Sequence, residues 1–539
     1  MATIAKAWLT SGNERNSNII ADCAVQTLKA MSADESDVVK TACIRVMREY
    51  ISILPGSKAT ELQSDIVNSI AKFLDGQDLE NTDDIVELVD VILQTLRDTI
   101  MANPLTCLDH NALDVVIMMV KFGAGRDRHS SVLIDEAFEY VAEEISKQGA
   151  EAYSRLCGKV MPSLMAAFDV EDPVTKDKTA LTDVACSVVK ILAENAKGHL
   201  PQGFVAASMP RLCRVIFSDH DFYVKQLSTL AIKYMITNDK DQVFNWVDPE
   251  AHKNGLEMCF MVIGHLLGPS SDEASAAEVG ELAVSVIDQA GAAALGTSMH
   301  DLLRILAQRL STAEQITLIQ SLTTVFARLS LLSVNEVLDF LASQTIGELN
   351  GLTVVLQKWL ENSINFAGFD SIKENISALV MIYRTHDPRL DSIVCVGDLI
   401  PDTSSRIRTR SMTKSVPIKY TQVPAPLKII KILVGELLPY GDPSAAFAQL
   451  KSSTQTHKPP SSEESWESDE EEGGILTGRQ VDDATQKFLV DFFRAEGTDS
   501  GFQALYGQLT DGERKRCMDG VEGWSKLEAQ RSLMRAGLA

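Results

Sequence analysis

Seven carboxylates crowd one short stretch of this chain: Glu463, Glu464, Glu467, Asp469, Glu470, Glu471 and Glu472, with Trp466 among them. No basic residue falls between Lys458 and Arg479. Carboxylates so spaced repel one another and are costly to bury unpaired, so the segment is expected to stay solvated and mobile. Its chemistry is that of a polyanion. It gains by meeting a dense cationic surface, where it stands in for nucleic-acid phosphate, and the indole adds an aromatic anchor. Two plainer readings stand beside this one. The segment is a linker that meets nothing, or it folds back on the chain's own basic cluster of Arg406, Arg408, Arg410, Lys414 and Lys419. Ser461 and Ser468 each precede an acidic residue by three positions, so phosphorylation would deepen the charge.

Catalytic patterns are missing from the sequence. Asp109-His110 and Asp219-His220-Asp221 resemble acid–base pairs, but both fall where a helix begins, and helix capping explains them better. Gly123-Ala124-Gly125 opens like a nucleotide loop and then lacks the third glycine. The nine histidines are scattered, and no two cysteines have metal-ligand spacing. No enzyme activity, cofactor or metal is expected.

These residues must be positioned by helices. The 539 residues are 45% hydrophobic and 23% charged, a globular composition, with a formal net charge of −24. Such acidity turns the chain away from nucleic acid and anionic membrane and towards basic proteins. The nine cysteines mostly sit among apolar neighbours, as in a reducing compartment. No long apolar block follows Met1, and the apolar run around 258–267 is interrupted by His265, too short for a membrane span.

From about 18 to 384 the apolar residues recur three and four apart. Leu62, Ile66, Val67, Ile70, Phe73 and Leu74 form one such run. A broader stripe, Val38, Val39, Ala42, Cys43, Val46, Met47, Tyr50, Ile51 and Leu54, predicts a helix packed from more than one side. Ser311-Thr312-Ala313-Glu314 and Ser333-Val334-Asn335-Glu336 have the form of capping boxes at helix starts. Little alternates with period two, so strands are not expected. Acidic markers at Asp34, Glu80, Asp127, Asp172 and Asp219 each open a helical run and recur about every 46 residues, the length of a two-helix HEAT unit. The fold class expected is therefore all-α, a superhelical HEAT-repeat solenoid in which stacked antiparallel helix pairs bury one another's apolar stripes. Repeats are expected over 1–390, a proline-containing basic loop over 391–424, a repeat helix over 425–440, a disordered acidic loop over 441–480 and closing helices over 481–539.

The order of elements at the carboxy end resembles the importin-9-like members of the importin-β karyopherins. The resemblance is carried by Arg406-Ile407-Arg408-Thr409-Arg410-Ser411, by residues 420–426 and 427–433, by the Trp-bearing acidic loop, and by the segment from Phe488 to Arg514. It implies a nuclear import receptor, moving between cytoplasm and nucleus, that carries basic cargo, chiefly core histones, under control of the GTPase Ran and past nuclear pore proteins. It makes residues 463–472 the candidate cargo contact. It covers the carboxy-terminal half of such a receptor, and the half bearing the main Ran-binding repeats has no counterpart here. A histone chaperone or a static helical scaffold on the same fold is the alternative. Neither direct nucleic-acid binding nor membrane insertion is implied.

Overall fold

The computed structural model describes residues 14–33, 36–54, 56–75, 85–108, 128–169, 180–400, 419–437 and 483–535. Two compact units divide the chain, Met1–Gly296 and Thr297–Ala539.

The first unit contains α1 (Glu14–Ala33), α2 (Asp37–Ile53), α3 (Gly56–Asp75), α4 (Ile85–Ala102), α5 (Arg128–Ser146), α6 (Ala150–Asp169), α7 (Ala180–Asn195), α8 (Phe204–Phe217), α9 (Phe222–Asn238), the short α10 (Lys240–Asn245), α11 (Gly255–Leu266) and α12 (Val279–Leu295). Two layers result. Helices α2, α4, α5, α7, α9 and α12 pack side by side in that order, and α1 with α3, then α6, α8 and α11, lie in the other layer. This is the HEAT arrangement expected from the sequence. The helices that follow the five acidic markers begin at 37, 85, 128, 180 and 222, and all belong to the α2–α12 layer. The 46-residue period is therefore the repeat of one layer. Asp219 is the one marker among the described residues; the cap itself is Asp221, whose carboxylate accepts from the Tyr223 backbone N–H at 2.9 Å.

Helix ends leave carbonyls without intrahelical partners, and side chains of the adjacent repeat supply donors. Gln63 Nε2 donates to Thr99 O at 2.8 Å and to Asn103 O at 3.0 Å. The Tyr153 hydroxyl donates to Leu192 O. Asn238 Nδ2 donates to Ala193 O at 2.7 Å, and Gln226 Nε2 to Ala274 O at 2.7 Å. Between these rungs the core is continuous. The predicted stripe of α3 is buried in full. That of α2 is not: Met47, Ile51 and Leu54 are buried, as is Ile44 outside the stripe, while Val38 is 79% exposed and Val46 41%. Among the described residues, α2 packs on α1, α3 and α4 through one face, which is narrower than its sequence suggests.

The second unit holds α13 (Thr297–Thr312), α14 (Ile316–Ser343), a two-residue ribbon of β1 (Thr345–Ile346) and β2 (Leu349–Asn350), α15 (Gly351–Asn362), α16 (Phe369–Arg384), a hairpin of β3 (Val394–Leu399) and β4 (Tyr420–Pro424), α17 (Ala425–Gly435), α18 (Asp483–Glu496), α19 (Ser500–Tyr506) and α20 (Asp511–Arg535). Ser311 and Thr312 end α13 rather than open the next helix; their hydroxyls donate to Gln308 O and Arg309 O, and Gln315 is the residue before α14. Ser333 does mark a restart, because its φ of −154° and ψ of 81° break α14 in two. Among the described residues, α14 is the one helix with the length and hydropathy of a bilayer span. The break at Ser333 means that it does not run straight.

The hairpin corrects the expectation of no strands. Val394-Cys395-Val396 alternates exposed and buried, pairs antiparallel with residues 422–424, and loses register between Val396 and Leu399. Gly397 is required there, since a Cβ would lie 2.3 Å from Thr421 Oγ1. The outer edge of β3 is occupied by α15: Gln357 Nε2 donates to Val394 O at 2.6 Å, and Glu361 Oε1 accepts from the Val396 N–H at 3.0 Å.

Helix α17 is apolar as expected, with Leu427, Ile429, Ile430, Ile432 and Leu433 buried. One cation is placed among them. The Lys431 side chain is 8% exposed, and its Nζ donates to Asp398 at 2.8 Å and to Glu513 at 2.8 Å. Burial pulls its pKa down, but the bonds to the two carboxylates more than offset this and raise it. Lys431 thus joins hairpin, α17 and α20. Lys431→Met is expected to cost about 2 kcal/mol, less than a fully buried pair because both carboxylates keep some water. Urea unfolding measures the loss, and limited proteolysis shows whether the hairpin comes free.

Candidate protein-binding surface

The free side of the α4–α5–α7–α9–α12 layer is acidic, and its helical spacing makes it so. On α5, Asp135, Glu139 and Glu143 recur every four residues, on one face. On α7 Asp183, Lys190 and Glu194 are partly exposed, while residues 184–189 and 191–193 are buried. Asp221 caps α9. Glu281 and Asp288 lie on α12.

Among the described residues, three cations of this layer are engaged by acids. Arg97 pairs with Asp98 and Glu136, each at 3.1 Å. Lys190 holds Glu194 at 2.6 Å, and Lys233 holds Glu281 at 3.2 Å. Lys233 also lies over the Tyr234 ring, 4.3 Å from its centre. Carboxylates remain in excess. Burial pushes the Asp135 carboxyl up to about 6, opposed by the Ser187 hydroxyl, which donates to it at 2.6 Å, and by Lys190. Burial, followed by the nearby charge of Asp221, pushes Asp183 up to about 6 as well. Glu278, just before α12, is raised by burial and by Glu281.

A carboxyl whose pKa is raised on folding costs stability as pH climbs from its unfolded value, 3.8, to its folded value, about 6, and costs nothing below the first. Asp135→Asn is therefore expected to raise the melting temperature of the first unit at pH 7.5 and to raise it about half as much at pH 5. A thermal scan at the two pH values checks this. Equal shifts at both would place the effect in packing instead.

The residues singled out by sequence are distributed differently. Glu463, Glu464, Trp466, Glu467, Asp469, Glu470, Glu471 and Glu472 lie outside the described residues, as do Arg406, Arg408, Arg410 and Lys414. Their roots are described. Gln486 Nε2 on α18 donates to Glu436 O, just past α17, at 2.9 Å, which holds the start of α18 beside the end of α17. The Ile400 N–H donates to Lys419 O at 2.9 Å. Sequence reasoning passed over the acidic layer face because its carboxylates are spread over helices far apart in the chain. The available signal was the four-residue spacing of acids on α5. Among the described residues, no group of histidines, cysteines and carboxylates forms a metal site.

A family model described as importin-9 central HEAT repeats matches residues 2–124. Importin subunit beta-5 of Schizosaccharomyces pombe is 25% identical over 81% of this chain and 42% of its own length. Importin-9 of Drosophila melanogaster is 24% identical over 93% of this chain and 50% of its own. The chain thus spans half or less of the curated relatives it matches. The exportin Cse1 in its cargo-free, cytoplasmic state superposes on 95% of this chain and 47% of its own, with a TM-score of 0.56 at 12% identity, a likeness of fold. In sequence this chain resembles importin-9 and importin subunit beta-5, and in fold the HEAT-repeat exportin Cse1.

Proposed function

We propose that this chain is the cargo-holding part of a nuclear import receptor, binding basic proteins such as core histones. The observation that carries the reading is the acidic layer face of the first unit, where carboxylates outnumber cations and Asp183 sits beside Asp221. Clustered negative charge on a rigid helical scaffold attracts cationic partners over long range and orients them before contact. Residues 463–472 add a second anionic element from the other unit. The similarity to importins supports transport over catalysis, and with it passage between cytoplasm and nucleus. Control by Ran and engagement of pore proteins belong to the whole receptor in this reading.

The test is binding of a core histone dimer to the chain at rising salt. Affinity is expected to fall steeply with ionic strength, since exposed charges are screened within about 8 Å at physiological salt. Salt-independent binding, or none at low salt, would sink the reading. Addition of Ran in its GTP form separates transport from chaperoning: histone release supports the receptor, and retention supports a chaperone.

A further inference from the structure

The β3–β4 hairpin has two edges, and α15 closes that of β3, where Glu361 Oε1 accepts from the Val396 N–H at 3.0 Å. Val396 pairs with Gln422. In an antiparallel ladder, a residue that turns its N–H away from its partner faces one that does the same. The Gln422 N–H and C=O therefore point out of the hairpin, on the side away from α15. Among the described residues, no further strand pairs with β4. The side chains around this edge are apolar and open: Val394, Val396, Leu399, Ile400 and Tyr420 are each exposed. Such an edge accepts an extended segment, whose main chain bonds to the strand while alternate side chains cover the apolar face. Position and charge say which segment. Asp398 of β3 is bonded to Lys431 at 2.8 Å, so the hairpin folds back along α17. Five residues beyond Lys431, about 8 Å along a helix, Glu436 O is held by Gln486 of α18. The chain enters α18 at Asp483, and Ile475-Leu476-Thr477 precede it by six to eight residues. Extended, those residues reach about 20–27 Å, enough to lay Ile475 and Leu476 against β4. Glu467, Asp469, Glu470, Glu471 and Glu472 stand just before them. The hairpin supplies the opposite charge. Lys419 is exposed at its end. Residues 401–418, which join the strands in sequence, carry Arg406, Arg408, Arg410 and Lys414 against the single acid Asp402.

We propose that residues 467–477 of this chain dock on the hairpin, with Ile475-Leu476-Thr477 added as a third strand on the free edge of β4 and the acids before them set against the hairpin's cations. Neither part needs to be strong alone. A tether of this length supplies an effective concentration on the order of millimolar, so a weak contact is populated. The charge pairing is screened by salt, whereas the main-chain bonds to Gln422 are not. The same acids then answer to two cationic surfaces, this chain's own and that of any basic partner. The placement follows from the open edge, the reach and the charges, and holds whatever the chain carries.

Amide exchange of the whole chain, resolved at Gln422, is the test. Its N–H is expected to exchange about tenfold or more slowly than in a chain whose residues 467–477 are replaced by a Gly-Ser run of equal length. The Val423 N–H, which faces β3, is expected to be alike in both and reports that the hairpin is intact. Ile475→Glu with Leu476→Glu should free the Gln422 amide as fully as the Gly-Ser run does. Amides in place of the five acids should free it by about threefold at low salt and by less at high salt. A photoreactive benzoylphenylalanine in place of Tyr420 should capture residues 467–482 of the same chain, at a yield independent of protein concentration. Equal exchange at Gln422 with and without the segment overturns the proposal. Capture of residues 401–418 overturns it too, since the strands' own connection would then fill the edge. Capture of a second copy, growing with concentration, gives the edge to self-association and overturns it as well.

Discussion

Trp359→Ala is expected to cost the second unit about 4 kcal/mol, within the range for emptying a buried tryptophan site. The indole, on α15, is 1% exposed and among the largest fully buried side chains. Its Nε1 donates to Asn375 Oδ1 of α16 at 2.7 Å, and the Ser363 hydroxyl donates to the same oxygen at 3.4 Å. Truncation therefore removes both apolar volume and one of two donors to a buried amide. Trp359→Phe keeps most of the volume and loses the donor, and is expected to cost about 1–2 kcal/mol. Denaturant unfolding should rank the two variants in that order. In a repeat array each element depends mainly on its neighbours. Amide exchange in the alanine variant is therefore expected to accelerate first in α14, α15 and α16. An equal loss for alanine and phenylalanine would place the whole effect in the Nε1 hydrogen bond.

Replacing the seven carboxylates of 463–472 by their amides is expected to lower affinity for a core histone dimer by about ten- to a hundredfold at low salt. Charges that lie at the rim of an interface act through steering and salt dependence more than through fixed contacts. The variant should therefore bind on a flatter salt curve that converges with the parent at high salt. Affinities that coincide at every salt concentration would remove this segment from the mechanism and leave the acidic layer face as the sole anionic element. Trp466→Ala separates the aromatic share, since its loss should persist at high salt.

Most of the helical architecture was legible because a two-layer stack writes its period into the chain. Each helix of one layer must present an apolar stripe to two neighbours, so the markers from 34 to 219 kept register with helices that begin at 37, 85, 128, 180 and 222. The broad reading of α2 failed for a related reason. Val38 and Val46 are apolar by type, yet the described neighbours cover a single face. The serine at 311 failed as a helix start because a hydroxyl near a helix end serves equally well by bonding back to a carbonyl three residues earlier. The hairpin was hidden because its two strands are separated by twenty residues and each alternates over only a few positions. The acidic layer face was the least legible. Asp183 meets Asp221 through tertiary packing, and no local spacing relates them.

The side chains that α15 lends to β3 have a consequence for colloidal behaviour. A strand at the margin of a two-stranded hairpin offers bare amides and carbonyls to any passing strand, which is how edge-to-edge aggregates begin. Gln357 and Glu361 fill the Val394 carbonyl and the Val396 amide with an amide and a carboxylate of their own. A helix thereby imitates the missing third strand without being one, and the hairpin, with Val394 and Val396 turned outward, is shielded from templating another copy of itself.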